Sequence, residues 1–340
     1  MKTKADEQVM LAHGGGGELT HRLLKEHILP LLRNPLLDPL NDSAILPPMK
    51  GRLCMTTDAF VVQPLEFSGG DIGRLAVCGT VNDLSVMGAR PVCLSLALVI
   101  EEGLPIDRLQ RIMQSISSAS LEADVPVATG DTKVIERRGK GDNLFITTAG
   151  VGELPDALDL GMDQIRAGDA IIISGLIADH GLAVMAAREG LSIRSDLKSD
   201  AAPLNHLIET LLAKSDSIRF MRDPTRGGLA GVLADLVEGT GLSLEVHESA
   251  LPVSRMARHA AELLGLDPLT VANEGKVVIV VAQEDADKVV EACRAHALGK
   301  NAAKIGSFMK KEPPLAELIT EIGGRRIIQR PYGEELPRIC

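Results

Sequence analysis

The chain is nearly without aromatic side chains: five Phe, one Tyr and no Trp in 340 residues. Proteins that hold single-stranded nucleic acid by stacking its bases need such rings, so that class is excluded. An excess of positive charge is also missing. Lys and Arg number 36 against 46 Asp and Glu, a formal net charge of −10. That balance argues against a polyanion or an anionic membrane as partner. A phosphate-bearing ligand stays compatible if a cation screens it. Residues 92–100 form one of the longest apolar runs, far short of a bilayer span. Neither the basic end nor the apolar stretch of a secretory leader is expected at the N-terminus. The cysteines, Cys54, Cys78, Cys93, Cys293 and Cys340, contain no C-x-x-C and make an odd set. A reducing cytoplasm is the expected location. Cys340 is the last residue, whereas a prenylation box places its cysteine fourth from the end, so no lipid anchor is expected.

What is present is an ordinary globular balance, 45% apolar and 24% charged, long enough to fill two hydrophobic cores. Short β-branched runs alternate with helical patterns, which predicts α/β or α+β layering in each half. "RLCMTTD" (52–58) reads as a strand ending on an acid, and "LFITTAGVG" (144–152) as another. Leu109, Ile112, Met113 and Ile116 share one helical face. The boundary between halves is placed at 154–167. Beyond it, helices are expected at 181–189, 204–212 and 284–296, with a strand in "KVVIVVA". From Pro331 onward the chain is polar and rich in Pro and Gly, and is expected to be an irregular tail.

Several segments could carry chemistry. In "RDPTRGGLAGVLADLVEGTG", Asp223 fits an N-cap and Pro224 the first helical position. Arg222 and Arg226 flank that helix start, where free N–H groups favour an anion; a capped core helix with two surface arginines is the plainer reading. Asp42, Asp58, Asp83 and Asp131 lie in similar local contexts, the last three at expected strand or element ends. Converging there they would make a hard oxygen site suited to Mg²⁺, although a lone Asp in such a place is commonly a turn residue. Gly14, Gly15, Gly16 and Gly17 feed a helix without a Walker A or dinucleotide pattern, so they are either a phosphate-covering loop or a loose terminus. Lys133, two residues after Asp131, would lie near the same strand end and could neutralise a transferred phosphoryl group. His180 and Glu274 stand just before apolar elements.

Taken together, "AHGGGG", "TTDAFVVQPLEFSGGDIGRLAVCGTVNDLSVMGA", "TGDTKV", "DHG", "RDPTRGG", "LGLDPLTVANEGK" and the terminal "LPRIC" resemble the HypE family. These are carbamoyl dehydratases of [NiFe]-hydrogenase maturation, within a PurM-like superfamily that uses ATP. The resemblance runs from residue 12 to the last residue. It departs at "NDSA" (41–44), where an acidic residue commonly precedes the Asp.

The resemblance implies a Gly-rich segment (1–40), a PurM-like ATP-binding and dimerising sheet domain (41–154), a second α+β domain (165–330) and a flexible tail (331–340). It implies nucleotide contacts from Gly14–Gly17, Asp58, Asn82, Asp83, Gly130, Asp131, Thr132 and Arg222, and metal contacts from Asp42, Asp58, Asp83 and Asp131. Cys340, Glu274, Lys133, His180 and Arg226 would be catalytic, with Glu274 the first candidate base and His180 behind it. The implied cofactors are ATP and Mg²⁺. The implied partners are a second copy, the carbamoyltransferase HypF and the HypC–HypD iron scaffold.

Cys340 would then carry the substrate: HypF loads carbamoyl onto its sulfur, ATP phosphorylates the carbamoyl oxygen, and loss of phosphate leaves S-cyanate. Ten tail residues at about 3.3 Å each span roughly 30 Å, enough to move between loading and reaction. Pro331 and Pro337 would stiffen the tail, and Arg338 could pair with a carboxylate or phosphate. Two other readings stay open: a kinase or synthetase acting on a free small molecule, and a non-catalytic carrier using the terminal thiol.

Overall fold

The computed structural model describes residues 8–41, 43–137, 143–190, 197–331 and 338–340. Two layered α/β units follow one another along the chain.

The first unit opens with α1 (Glu18–Leu23) and α2 (Leu29–Leu32), then β1 (Arg52–Phe60), the short β2 (Glu66–Phe67) and β3 (Gly70–Asp71), α3 (Ile72–Val86), β4 (Arg90–Glu101), α4 (Ile106–Ala123), β5 (Val127–Ile135) and β6 (Leu144–Leu154). Its four-stranded sheet runs β1-β6-β4-β5, antiparallel except for the parallel β4–β5 pair. The strand expected at 52–58 and the helix carrying Leu109 to Ile116 both form. Helices α3 and α4 cover one sheet face, and Leu109, Ile112, Met113 and Ile116 are buried there. Among the described residues no helix covers the opposite face, where Leu53 and Met55 of β1 are 67% and 72% exposed. Helix α3 is capped by Asp71, whose carboxylate accepts the Arg74 N–H, and is buried nearly all round. It can be apolar on every side because the second unit packs against the face its own sheet leaves open.

That second unit contains β7 (Ala170–Ile173), α5 (Asp179–Arg188), α6 (Asn205–Lys214), β8 (Ile218–Arg222), α7 (Gly228–Thr240), β9 (Ser243–His247), α8 (Arg255–Leu264), β10 (Val278–Val281), α9 (Ala286–Ala295), β11 (Ala303–Met309), β12 (Ala316–Ile319) and β13 (Arg325–Ile327). Its seven-stranded sheet has the order β13-β12-β9-β11-β7-β10-β8. Ile171 and Ile173 pack with Leu229 and Leu233 of α7, while Ala170 and Ile172 pack with α6 and α9. Layers on both faces explain why β7 and β10 read as unbroken apolar runs.

Helix α7 corrects one expectation. It starts at Gly228 rather than Pro224, and Asp223 is not its cap. Gly227 and Gly228 both have positive φ, 76° and 59°, and a Cβ on Gly228 would stand 2.6 Å from the Leu269 and Val271 carbonyl oxygens. Two left-handed residues in succession break any helix begun upstream. "RDPTR" therefore forms a loop, and Asp223 turns inward.

The described end of the tail also differs from expectation. Ile339 is 4% exposed and packs in the core of the first unit. Residues 332–337, including Pro337, lie outside the described residues, as does Asp42. All five cysteines are free thiols. Among the described residues no helix is long and apolar enough to cross a membrane.

Candidate functional site

The last three residues lie along the chain that leaves β1. The Val61 N–H donates to a terminal oxygen of Cys340 at 3.1 Å, and the Gln63 N–H to the Arg338 carbonyl at 3.2 Å. Arg188 of α5 donates to the Arg338 and Gln63 carbonyls, each at 2.8 Å. His180, at the start of the same helix, faces the Ile339 carbonyl at 3.0 Å through Nε2, with Nδ1 2.8 Å from Ser199 Oγ. A carbonyl can only accept, so Nε2 carries the proton and Nδ1 receives the serine hydroxyl. Burial pushes His180 below the usual imidazole range, which keeps this neutral tautomer. His180 therefore holds the tail here rather than standing free as a proton acceptor. The Arg338 guanidinium meets the Val61 carbonyl at 3.1 Å and Gln63 Oε1 at 3.3 Å.

This docking places Cys340 in a cavity of about 480 Å³ between the two units. Asp58, Asp83, Asp223, Arg226 and Glu274 share its walls. Asp58 projects from β1 and accepts from Thr80 Oγ1 at 3.0 Å; Asp83 projects from α3 and accepts from Thr56 Oγ1 at 2.8 Å. Burial, and then Asp58, raise the Asp83 carboxyl. Asp223 is pushed up to about 7, first by burial and then by Asp83. Glu274 is 2% exposed, its Oε1 has no hydrogen-bond partner among the described residues, and burial followed by Asp223 lifts it well above the carboxylate range. A carboxyl so placed can hold or take a proton near neutrality. Arg226 is exposed on the rim, and its charge pulls Asp83 and Cys340 downward.

The Cys340 thiol is pushed up to about 12, by burial first and then by Glu274. A thiol on an undocked tail titrates near its ordinary value of about 8.5. Docking thus favours the protonated thiol: the stabilisation is complete below the ordinary value and is lost as pH rises toward about 12. The Val61 and Gln63 amides should accordingly lose hydrogen-exchange protection above about pH 8.5, after correction for intrinsic exchange, and Cys340→Ala should flatten the loss. Constant protection through pH 10 would contradict this docking.

A second group of expected residues lies elsewhere. Gly14 packs on the backbone of β5, where an added Cβ would stand 2.7 Å from the Val134 N. Gly16 has φ 75°, and its N–H donates to Thr20 Oγ1 at 2.9 Å. These glycines lie with Gly130, Asp131, Thr132 and Lys133 at the mouth of a cavity of about 400 Å³, whose floor includes Leu24, Ile28, Leu32 and Leu98. Lys133 Nζ pairs with Asp131 at 3.0 Å and holds its carboxyl below the usual range. Strand register explains the separation. Asp58 aligns with Thr148 and Leu96, whereas Asp131 aligns with Ala97, one residue along β4 and so on the opposite face. Three strand spacings, roughly 14 Å, also part them. Within one chain Asp131 and Lys133 line one cavity and Glu274 the other.

Two further residues have other work. Asn82 is 1% exposed and bonded to backbone of the second unit. Arg222 reaches Asp235 at 2.9 Å in the neighbouring cleft. Among the described residues, no three His, Cys, Asp or Glu side chains are grouped to hold a metal ion. Asp223, Asp200 and Arg188 were missed; Asp223 stood inside the quoted "RDPTRGG", while Asp200 and Arg188 carry no local signal.

The chain matches two family models: AIR synthase related protein, N-terminal domain, over residues 40–154, and AIR synthase related protein, C-terminal domain, over 166–313. It is 47% identical over 332 residues to a carbamoyl dehydratase HypE of Azotobacter vinelandii, covering 98% of this chain and 97% of that one. Among solved structures it resembles the hydrogenase maturation protein HypE in complex with ATP, with TM-score 0.93 and 42% identity over 97% and 99% of the two chains. A chain in a HypE–HypF complex aligns with TM-score 0.79 and 42% identity, over 93% of this chain and 100% of that one.

Proposed function

The chain belongs to the HypE family of carbamoyl dehydratases, and on that basis we propose that it converts an S-carbamoyl group on its own Cys340 into S-cyanate at the expense of ATP. The observation that carries this is the terminal thiol docked beside the buried Glu274 carboxyl, unpartnered among the described residues.

Chemically, the carbamoyl oxygen attacks the γ-phosphorus of ATP and ADP leaves. The C–O bond then breaks, phosphate departs with the oxygen, and nitrogen gives up its two protons as the C≡N bond forms. ATP and S-carbamoylcysteine thus become ADP, phosphate and S-cyanocysteine. The carbamoyl oxygen is a weak nucleophile, so positioning and charge stabilisation must supply the rate. In this reading Glu274 would take a nitrogen proton and Arg226 would face developing phosphate charge. The Asp58–Asp83 pair, in which burial and then Asp58 lift Asp83, suits a hard cation. Mg²⁺ bound there would neutralise phosphate charge.

The two groups of expected residues belong to one site only if a second copy supplies one of them. The uncovered sheet face, with exposed Leu53 and Met55, is the surface through which a homodimer would form. Gly14–Gly17, Asp131 and Lys133 of one chain would then close over Asp58, Asp83 and Glu274 of the other. HypF is the proposed carbamoyl donor, and HypC–HypD the proposed iron scaffold receiving cyanide.

Intact mass of the C-terminal peptide after incubation with HypF, carbamoyl phosphate and ATP tests the reading. Carbamoyl addition followed by loss of one water is expected, and an unchanged Cys340 under loading conditions refutes it. Asp83→Asn should keep the fold and lose ATP turnover by at least about 100-fold, since several kcal/mol of phosphoryl-transfer stabilisation go with the charge. Normal turnover in a folded Asp83→Asn protein removes Asp83 from the metal site.

A further inference from the structure

The peptide of Glu274 is gripped from two sides. Its N–H donates to Asp200 Oδ1 at 3.0 Å, and its carbonyl accepts from Asn82 Nδ2 at 3.2 Å. Asp200 is itself fixed by a buried ion pair with Lys276 at 3.0 Å. Asn82 comes from the other unit, from the last third of α3. The same Asn82 nitrogen donates to the Ala202 carbonyl at 3.1 Å, and Oδ1 accepts the Leu204 N–H at 2.7 Å. Both amide donors and the acceptor are thereby engaged, leaving no donor for a nucleotide. The adjacent residue, Asp83, lines the same cavity as Glu274.

We infer that Asn82 is a positioning residue for Glu274. Neighbouring residues of one rigid helix carry Asp83 and the amide that sets Glu274, so the spacing between the phosphate-side carboxylates and the base is built into α3. This rests on Glu274 acting as the base. A contrast is available in the same fold. Asn205 Nδ2 also bonds across the two units, to the Ala123 carbonyl at 2.8 Å, but neither residue lines the Cys340 cavity. If Asn82 were only a joint, the two asparagines would behave alike.

The test measures cyanate formation on full-length protein carbamoylated by HypF, for Asn82→Ser, Asn205→Ala, Glu274→Gln and the Asn82→Ser/Glu274→Gln pair. Displacing a catalytic group by about 1 Å can cost on the order of 100-fold, so Asn82→Ser should slow kcat by roughly 10- to 100-fold with KM for ATP within about twofold. It should add nothing to Glu274→Gln, because the two act as one unit. Asn205→Ala should melt lower yet keep the wild-type rate. Should Asn82→Ser fail to fold, Asn82→Gln keeps the amide without adding charge, moves it by one methylene and should show the same loss. A wild-type rate in a folded Asn82 variant beside a stalled Glu274→Gln overturns this inference alone, as does a multiplied defect in the pair. A wild-type rate in Glu274→Gln overturns the base assignment with it.

Discussion

Cys340→Ala retains the fold and ATP binding but accepts no carbamoyl and forms no cyanate. The contacts that dock the tail include His180 to the Ile339 carbonyl, Arg188 to the Arg338 carbonyl, the Val61 N–H to the terminal oxygen and the Arg338 guanidinium to the Val61 carbonyl. Together with the buried Ile339 side chain, none of these depends on sulfur. The variant therefore keeps its tail in place and loses only the atom that bonds the substrate carbon. The loss is complete, since no other cysteine lines the cavity. One alanine added after Cys340 should leave loading intact but impair dehydration, because the Val61 N–H then meets a peptide carbonyl with a further residue to accommodate. Intact mass separates the two steps. Cyanide delivery by Cys340→Ala would end the reading of the tail as a covalent arm.

The second large effect comes from mixing two inactive chains. Lys133→Ala disables one group of residues, and Glu274→Gln the other. If each site draws one group from each copy, a mixed dimer holds one doubly damaged site and one intact site. Random mixing makes half the dimers mixed, so about a quarter of wild-type activity should return. If both groups served the same chain, a mixed dimer would contain two damaged sites and recover nothing. Co-unfolding and refolding the two variants, followed by a cyanate assay, distinguishes these cases. The expected gain is from near zero to a substantial fraction.

How much of this was legible depended on the reach of each signal. The strand at 52–58 and the amphipathic α4 were plain because period and burial agree over many residues. The start of α7 was misjudged: Asp-Pro signals an N-terminus locally, but Gly227-Gly228 imposes a break that only its packing on Leu269 and Val271 explains. Asp58 and Asp131 looked alike in sequence, yet a one-residue difference in alignment sends them to opposite sheet faces. Asn82 sat in a motif associated with nucleotide, and only the second unit's backbone shows what its amide bonds. Asp200 could not be found in advance, for its partners Glu274 and Lys276 lie more than 70 residues away.

The shallow grip on the tail has a kinetic meaning. Among the described residues, the last three are held by the buried Ile339, by main-chain hydrogen bonds and by the Arg338 guanidinium, and three residues held this way would bind weakly as a free peptide. Covalent attachment changes the arithmetic, because a short tether presents its end at an effective concentration in the millimolar range. Weak docking is then enough to fill the cavity, and occupancy becomes independent of how dilute the protein is. The same weakness lets the loaded end leave again without a large barrier. A tighter terminus would hold its cargo at the site of synthesis, and the next protein in line would have to pull it out.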